Sequence, residues 1–115
     1  MTNSTLTGNS AGNIGGGYYG FAPLGAASLN STSRTIAFNT ATNGGGIAVS
    51  STAGVNSTAA INNTIISNNL ATTGTDVSGN PVLMGLPGTI TSGGYNIIRN
   101  TTDATIVAMT GDQFN

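Results

Sequence analysis

The sequence has no cysteine, histidine, tryptophan, lysine or glutamate, and its side-chain charge rests on Arg34, Arg99, Asp76, Asp103 and Asp112. Each absence removes a class of chemistry. Without His or Cys, neither a thiolate or imidazole zinc site nor a Ser-His-Asp or Cys-His nucleophile can be assembled, and a P-loop needs Lys. A net charge of −1 provides no basic face to displace counterions from phosphates, so nucleic acid is not an expected partner. No apolar run approaches the roughly 18 residues of a membrane-spanning helix. Met1 to Ser10 carries neither the basic nor the apolar part of a secretion signal, so export is expected through a signal outside this sequence or by another route. No cofactor is expected. The lack of cysteine fits a reducing compartment and an exported chain without disulfides equally well.

What is present is unusual in the opposite sense. Gly, Ser, Thr and Asn supply 18, 11, 19 and 15 of the 115 residues, and only 4% are charged, where an ordinary globular chain carries about a quarter. Length allows one small domain with one core. Leu, Ile, Val and Phe are few enough to approach the disordered range, but disorder normally also needs a large net charge. Composition alone therefore leaves disordered and repetitive β structure open.

Internal similarity separates the two. The segment Thr5-Leu6-Thr7-Gly8-Asn9-Ser10-Ala11 returns as Thr35-Ile36-Ala37-Phe38-Asn39-Thr40-Ala41 and as Thr64-Ile65-Ile66-Ser67-Asn68-Asn69-Leu70, with a worn copy from Thr89-Ile90-Thr91-Ser92. The copies start near 5, 35, 64 and 89, a period of about 29 residues. Thr35-Ile36-Ala37-Phe38, Ile47-Ala48-Val49 and Ala59-Ala60-Ile61 are short runs of period-2 character bounded by Gly, Asn and Ser, which predicts strands of four or five residues. Three short strands and three turns per period is the content of one coil of a stacked parallel sheet, with neighbouring coils about 4.8 Å apart.

Two sets of residues carry that expectation. Asn9, Asn39 and Asn68 each follow the repeat Thr by four positions, so stacking would superpose them in an amide ladder. A stack of this period requires those three to fall in register. Gly15, Gly16, Gly17 and Gly44, Gly45, Gly46 recur in phase, at turns that need positive φ or close approach of the next coil. Gly15, Gly17 and Gly20 also spell G-x-G-x-x-G, but no helix-forming stretch follows, and the repeat accounts for them better than a dinucleotide site.

With the later stretches Asp76-Val77-Ser78-Gly79 and Gly93-Gly94-Tyr95-Asn96-Ile97-Ile98, the order of these motifs resembles the right-handed β-helix repeat proteins of bacterial surfaces. That group is the pectate-lyase-like superfamily, including polymorphic outer-membrane-protein repeats. The resemblance covers residues 3 to 98. It implies an all-β fold, a right-handed parallel β-helix (solenoid) of about four coils with three short strands each. Residues 1–102 would form the coils and 103–115 a divergent C-terminal cap. Leu6, Ile36, Phe38, Ile47, Val49, Ile61, Ile65, Ile90 and Ile97 are the expected interior.

Family members are mostly adhesins, passengers or surface proteins, with polysaccharide lyases and hydrolases as the enzymatic branch. Asp76 and Asp103 lie 27 residues apart, near one coil, and are the candidates for a carbohydrate site if they converge with Arg34 or Arg99. Two aspartates without a tuned partner rarely suffice for acid-base work, so the structural expectation is that Asp76 caps a turn and that Asp103 and Asp112 fall in the cap. The sequons at Asn3, Asn30, Asn56, Asn62 and Asn100 match chance for this composition. T-x-T occurs at Thr5, Thr40, Thr73 and Thr89 but not in one phase, as an ice-binding face would need.

The expected function is structural or adhesive and non-enzymatic, outside the cell or on its surface. The expected partner is a second copy stacked head to tail in a filament, or further coils of a longer chain, because the N-terminal end enters the repeat with no capping helix. Carbohydrate is the alternative partner.

Overall fold

Residues with positive φ recur in three register-aligned sets. Asn3, Ser33, Asn63 and Tyr95 form one set, Gly8, Phe38 and Asn68 a second, and Gly15, Gly44 and Gly74 a third. Between the corners the β-branched runs lie extended, while the abundance of Gly, Asn, Ser and Thr disfavours helix. The computed structural model describes residues 1–21, 23–52, 55–79 and 86–115.

The strands are β1 (Thr2–Thr7), β2 (Tyr18–Gly20), β3 (Ser28–Ala37), β4 (Ile47–Ser51), β5 (Thr58–Ser67), β6 (Val77–Ser78), β7 (Leu86–Pro87), β8 (Thr89–Ser92), β9 (Ile97–Ile98) and β10 (Gln113–Phe114). One sheet runs β1-β3-β5-β9-β10, with β8 also on β5, and a second runs β2-β4-β6, with β7 also on β4. Every pairing is parallel except β4 with β7. The fold is therefore all-β, built on parallel sheets.

The register corrects the sequence phase. Thr5 pairs with Thr35, and Thr35 with Ile65, not Thr64. Ile65 pairs in turn with Ile97. Thr89 lies beside Thr58, an earlier part of the period, so the fourth copy of the Thr5 segment begins at Ile97 rather than Thr89. The physical cause is visible along β3 and β5. Leu29, Ser31, Arg34 and Ile36 are buried, as are Ala59, Ile61, Thr64 and Ile66. The inward phase slips by one residue at Ser33 and Asn63, whose left-handed conformation bends the strand without ending it.

The core comprises Leu29, Ile36, Ile47, Val49, Ala59, Ile61, Ile66, Val77, Ile90 and Ile98, and each fully buried Ile is worth about 1.5–3 kcal/mol. Four expected interior residues lie outside it, Leu6 being only partly buried against it. Phe38 is 65% exposed on a left-handed corner, and Ile65 and Ile97 face outward because their neighbours Ile66 and Ile98 take the inward positions. Leu6 and Tyr18 cover the core partly at the N-terminal end, and Ala104, Ile106 and Phe114 lean on it from the C-terminal segment. The last circuit is short: Gln113 pairs with Ile97, only 16 residues earlier, so the chain cuts across that end of the core.

Candidate functional site

The glycine triplets let neighbouring parallel segments approach closely. A Cβ on Gly45 would stand 2.5 Å from Thr75 O and 2.7 Å from Leu70 O, both main-chain atoms of the next coil. Gly16 and Gly17 meet Gly45 O and Gly46 O in the same way, and Gly46 meets Asp76 O. Gly15 and Gly44 have φ of 67° and 61°.

That proximity brings asparagines of register-paired segments into hydrogen-bond range. The Asn39 Oδ1 accepts both the backbone N–H of Asn9 at 3.0 Å and its side-chain Nδ2 at 2.9 Å. Asn39 then donates its own N and Nδ2 to Asn69 Oδ1 at 3.0 and 2.9 Å. Asn69 passes the same pair to Asp76 Oδ1 at 3.1 and 2.8 Å. The ladder is Asn9, Asn39, Asn69, and it ends on a carboxylate that has no N–H2 to hand on. Asn68, the expected third rung, stands instead at the exposed left-handed corner in line with Phe38, where its Oδ1 accepts from Arg99. Asn9, Asn39 and Asn68 therefore do not lie in register, and the 29-residue phase that required it fails; the strands pair 30 residues apart, which puts Asn69 in line with Asn39.

A second ladder, which sequence reasoning missed, runs nearby. Thr64 N–H donates to Asn96 Oδ1 at 3.0 Å, and Asn96 donates its N and Nδ2 to Asp112 Oδ1 at 2.8 and 3.1 Å. Burial pushes the Asp112 carboxyl up. Hydrogen bonds from Ser92 Oγ, Met109 N and both Asn96 nitrogens outweigh that push and hold it below the ordinary aspartate range. Asn96 follows Tyr95, a left-handed corner residue, as Asn69 follows Asn68 and Asn39 follows Phe38. A scan for Asn directly after a corner, rather than at a fixed offset from Thr, would have found both ladders.

The acids and arginines do not converge. Asp76 is 2% exposed and accepts the Asn69 N and Nδ2 at the end of the first ladder. Asp103 binds Gly74 N–H through its carboxylate, pairs with Ser78, and lines an open concavity of about 700 Å³ together with Ile90, Thr91, Ala104 and Val107. Arg99 reaches Asn68. Arg34 is buried at a shallow groove that it lines with Asn3, Ser4, Asn63, Ile65 and Tyr95. All three carboxylates accept hydrogen bonds from the protein's own chain. Among the described residues no group of three His, Cys, Asp or Glu could hold a metal ion, and no helix is long and apolar enough to cross a membrane. Nor is there a continuous threonine row, since the outward column that starts Thr5, Thr35 continues as Ile65 and Ile97.

Scans against protein-family models, curated proteins and solved structures find no match to this chain. Geometry alone then carries the functional reading.

The two ends of the stack differ. Both ladders stop on aspartate: the first on Asp76, seven residues after Asn69 in the same period, and the second on Asp112 in the last segment, where Gln113 pairs back on Ile97. At the N-terminal end no bond to Asn9 Oδ1 is made among the described residues, and β1 pairs only with β3. Below that edge Arg34 is 3% exposed. Its Nη2 donates to the backbone oxygens of Met1 and Asn30, while Nε and Nη1 are buried without a partner. Burial lowers its pKa.

Proposed function

We propose that the chain is a non-enzymatic structural or adhesive module: a right-handed parallel β-helix of about four coils, closed at its C-terminal end, that works outside the cell or on its surface as part of a longer stack. Parallel pairing at 30-residue intervals supports the helical winding, and parallel crossovers are right-handed in about 98% of cases. The observation that carries the function is the direction of the ladders. Each runs from the N-terminal to the C-terminal side and stops on an aspartate, which has no N–H2 to pass on, while Asn9 Oδ1 at the other side takes no bond among the described residues. Carboxylates committed to internal hydrogen bonds serve the scaffold rather than acid-base chemistry on a substrate. Low charge and dense backbone pairing suit persistence in a protease-rich exterior.

Electron microscopy of the purified chain at micromolar concentration and neutral pH tests this. Dispersed particles are expected. Filaments with a 4.8 Å reflection and a subunit rise of about 19 Å, four coils, would replace the closed-end module by a head-to-tail polymer.

A further inference from the structure

We propose that the N-terminal face is a docking surface for one further parallel β-coil, which presents an asparagine amide to Asn9 and a carboxylate to Arg34. The inference rests on the β-helix reading above and specifies its partner.

The first half follows from the rule inside the stack. Asn39 Oδ1, Asn69 Oδ1 and Asp76 Oδ1 each take two bonds from one residue on the N-terminal side, one from its backbone N–H and one from its side-chain Nδ2. Each inner Asn also returns Nδ2 to a backbone oxygen of the previous coil, Asn39 to Leu6 O and Asn69 to Ile36 O, both at 3.0 Å. Asn9 keeps the acceptor and the donor for the same exchange on its open side. Asparagine supplies both N–H groups at the required reach; Ser and Thr lack the amide, and Asp lacks the donor.

The second half follows from charge. A guanidinium buried with two nitrogens unpaired is costly to hold, and it becomes favourable when a carboxylate meets its fork. Arg34 stands in the column Ser4, Arg34, Thr64, Asn96, Asp112, as the strand registers place it. Its side chain reaches toward the N-terminal end, to Met1 O and Asn30 O. A coil on β1 would place the residue of this column above Ser4, on the side toward which the Arg34 side chain reaches. The half-buried Leu6, which heads the inward column of Ile36, Ile66 and Ile98, would be covered by the same step.

A second copy does not supply this chemistry. Continuing the Ile66–Ile98 register puts Thr101, not an asparagine, in line with Asn69, and its N–H is already bonded to Asn115 O. The carboxylate of Asp112 is already engaged by Asn96, Ser92 and Met109. The occupant is therefore a coil of another β-helix segment.

The test appends to the full chain, ahead of Met1, a copy of residues 31–60, one 30-residue period, so that the copied Asn39 falls above Asn9 and the copied Arg34 above Ser4. Three forms are compared: the plain copy, the copy with Arg34→Asp, and the Arg34→Asp copy that also carries Asn39→Ala. The Arg34→Asp copy is expected to melt about 4 °C or more above the parent chain and to slow hydrogen exchange of the β1 amides about tenfold or more. The plain copy should gain less, and Asn39→Ala should remove most of the gain. Replacing the native Arg34 by Met in the extended chain should abolish the advantage of Asp over Arg in the copy; an advantage that survives overturns the carboxylate half. Unprotected β1 amides in every form, with β3 and β5 still protected, overturn the docking surface while leaving the β-helix in place. Loss of that β3 and β5 protection in the parent would instead sink the β-helix reading. A parent chain that dimerises and thereby protects β1 overturns the proposal in favour of a second copy.

Discussion

Asn69→Ala, set beside Asn68→Gly, separates a stack held by buried amides from one in which asparagine is only a turn former. Asn69 is 3% exposed. Truncation removes the acceptor of Asn39 N and Nδ2, the donor to Ile36 O and the 2.8 Å side-chain bond to Asp76. Four buried bonds at about 1 kcal/mol each give a loss of about 4 kcal/mol, with the buried Asp76 carboxylate at the costly end of the range. Against a total of about 5–15 kcal/mol for a small domain, that is a large share. Asn68 is exposed at φ 56°, a conformation glycine adopts without strain, so Asn68→Gly should stay within about 0.5 kcal/mol of the parent. Urea denaturation followed by circular dichroism reads both, and at a slope of about 2 kcal/mol per molar the Asn69→Ala midpoint should fall by about 2 M. Equal losses at the two positions, or an Asn69→Ala loss below about 1 kcal/mol, would refute the ladder as a source of stability.

Two further outcomes are expected. Gly45→Ala drives a methyl against the main chain at Thr75 and Leu70 and should cost at least about 2 kcal/mol. Gly25→Ala, with nothing within 4 Å of the added carbon, should be close to neutral; paired thermal melts decide. Asp112 is held below the ordinary aspartate range in the folded state, so its contribution is fully present above that range and drains away as pH falls through and below it. Asp112→Asn should flatten that acid limb of a stability-against-pH curve, and an unchanged slope would exclude Asp112 as its source.

Much of the fold is legible in the sequence because parallel pairing at near-constant intervals repeats its local requirements. The glycine triplets mark the places where coils nearly touch, and the Thr-Ile and Ile-Ala-Val runs mark the strands that begin at Ile47 and end at Ala37. The missing residue types by themselves exclude most catalytic chemistries. The candidate site was less legible. Ile65-Ile66, Ile97-Ile98 and Asn68-Asn69 are doublets in which either member satisfies a pattern, and a one-residue slip exchanges inside for outside.

The choice between members is made by pairing across coils. The left-handed corners at Ser33 and Asn63 shift the inward phase, which sends Ile66 and Asn69 inward and leaves Ile65 and Asn68 at the surface. Tertiary structure alone also decides that Asp76 and Asp112 end two ladders and that Arg34 is buried without a counter-charge. Those roles depend on which residue of a neighbouring coil lies one strand spacing away, about 4.8 Å. The sequence by itself determines that strands recur at a spacing near 30 residues; the parallel register across those strands decides which member of each doublet turns inward and which acids receive the asparagine amides.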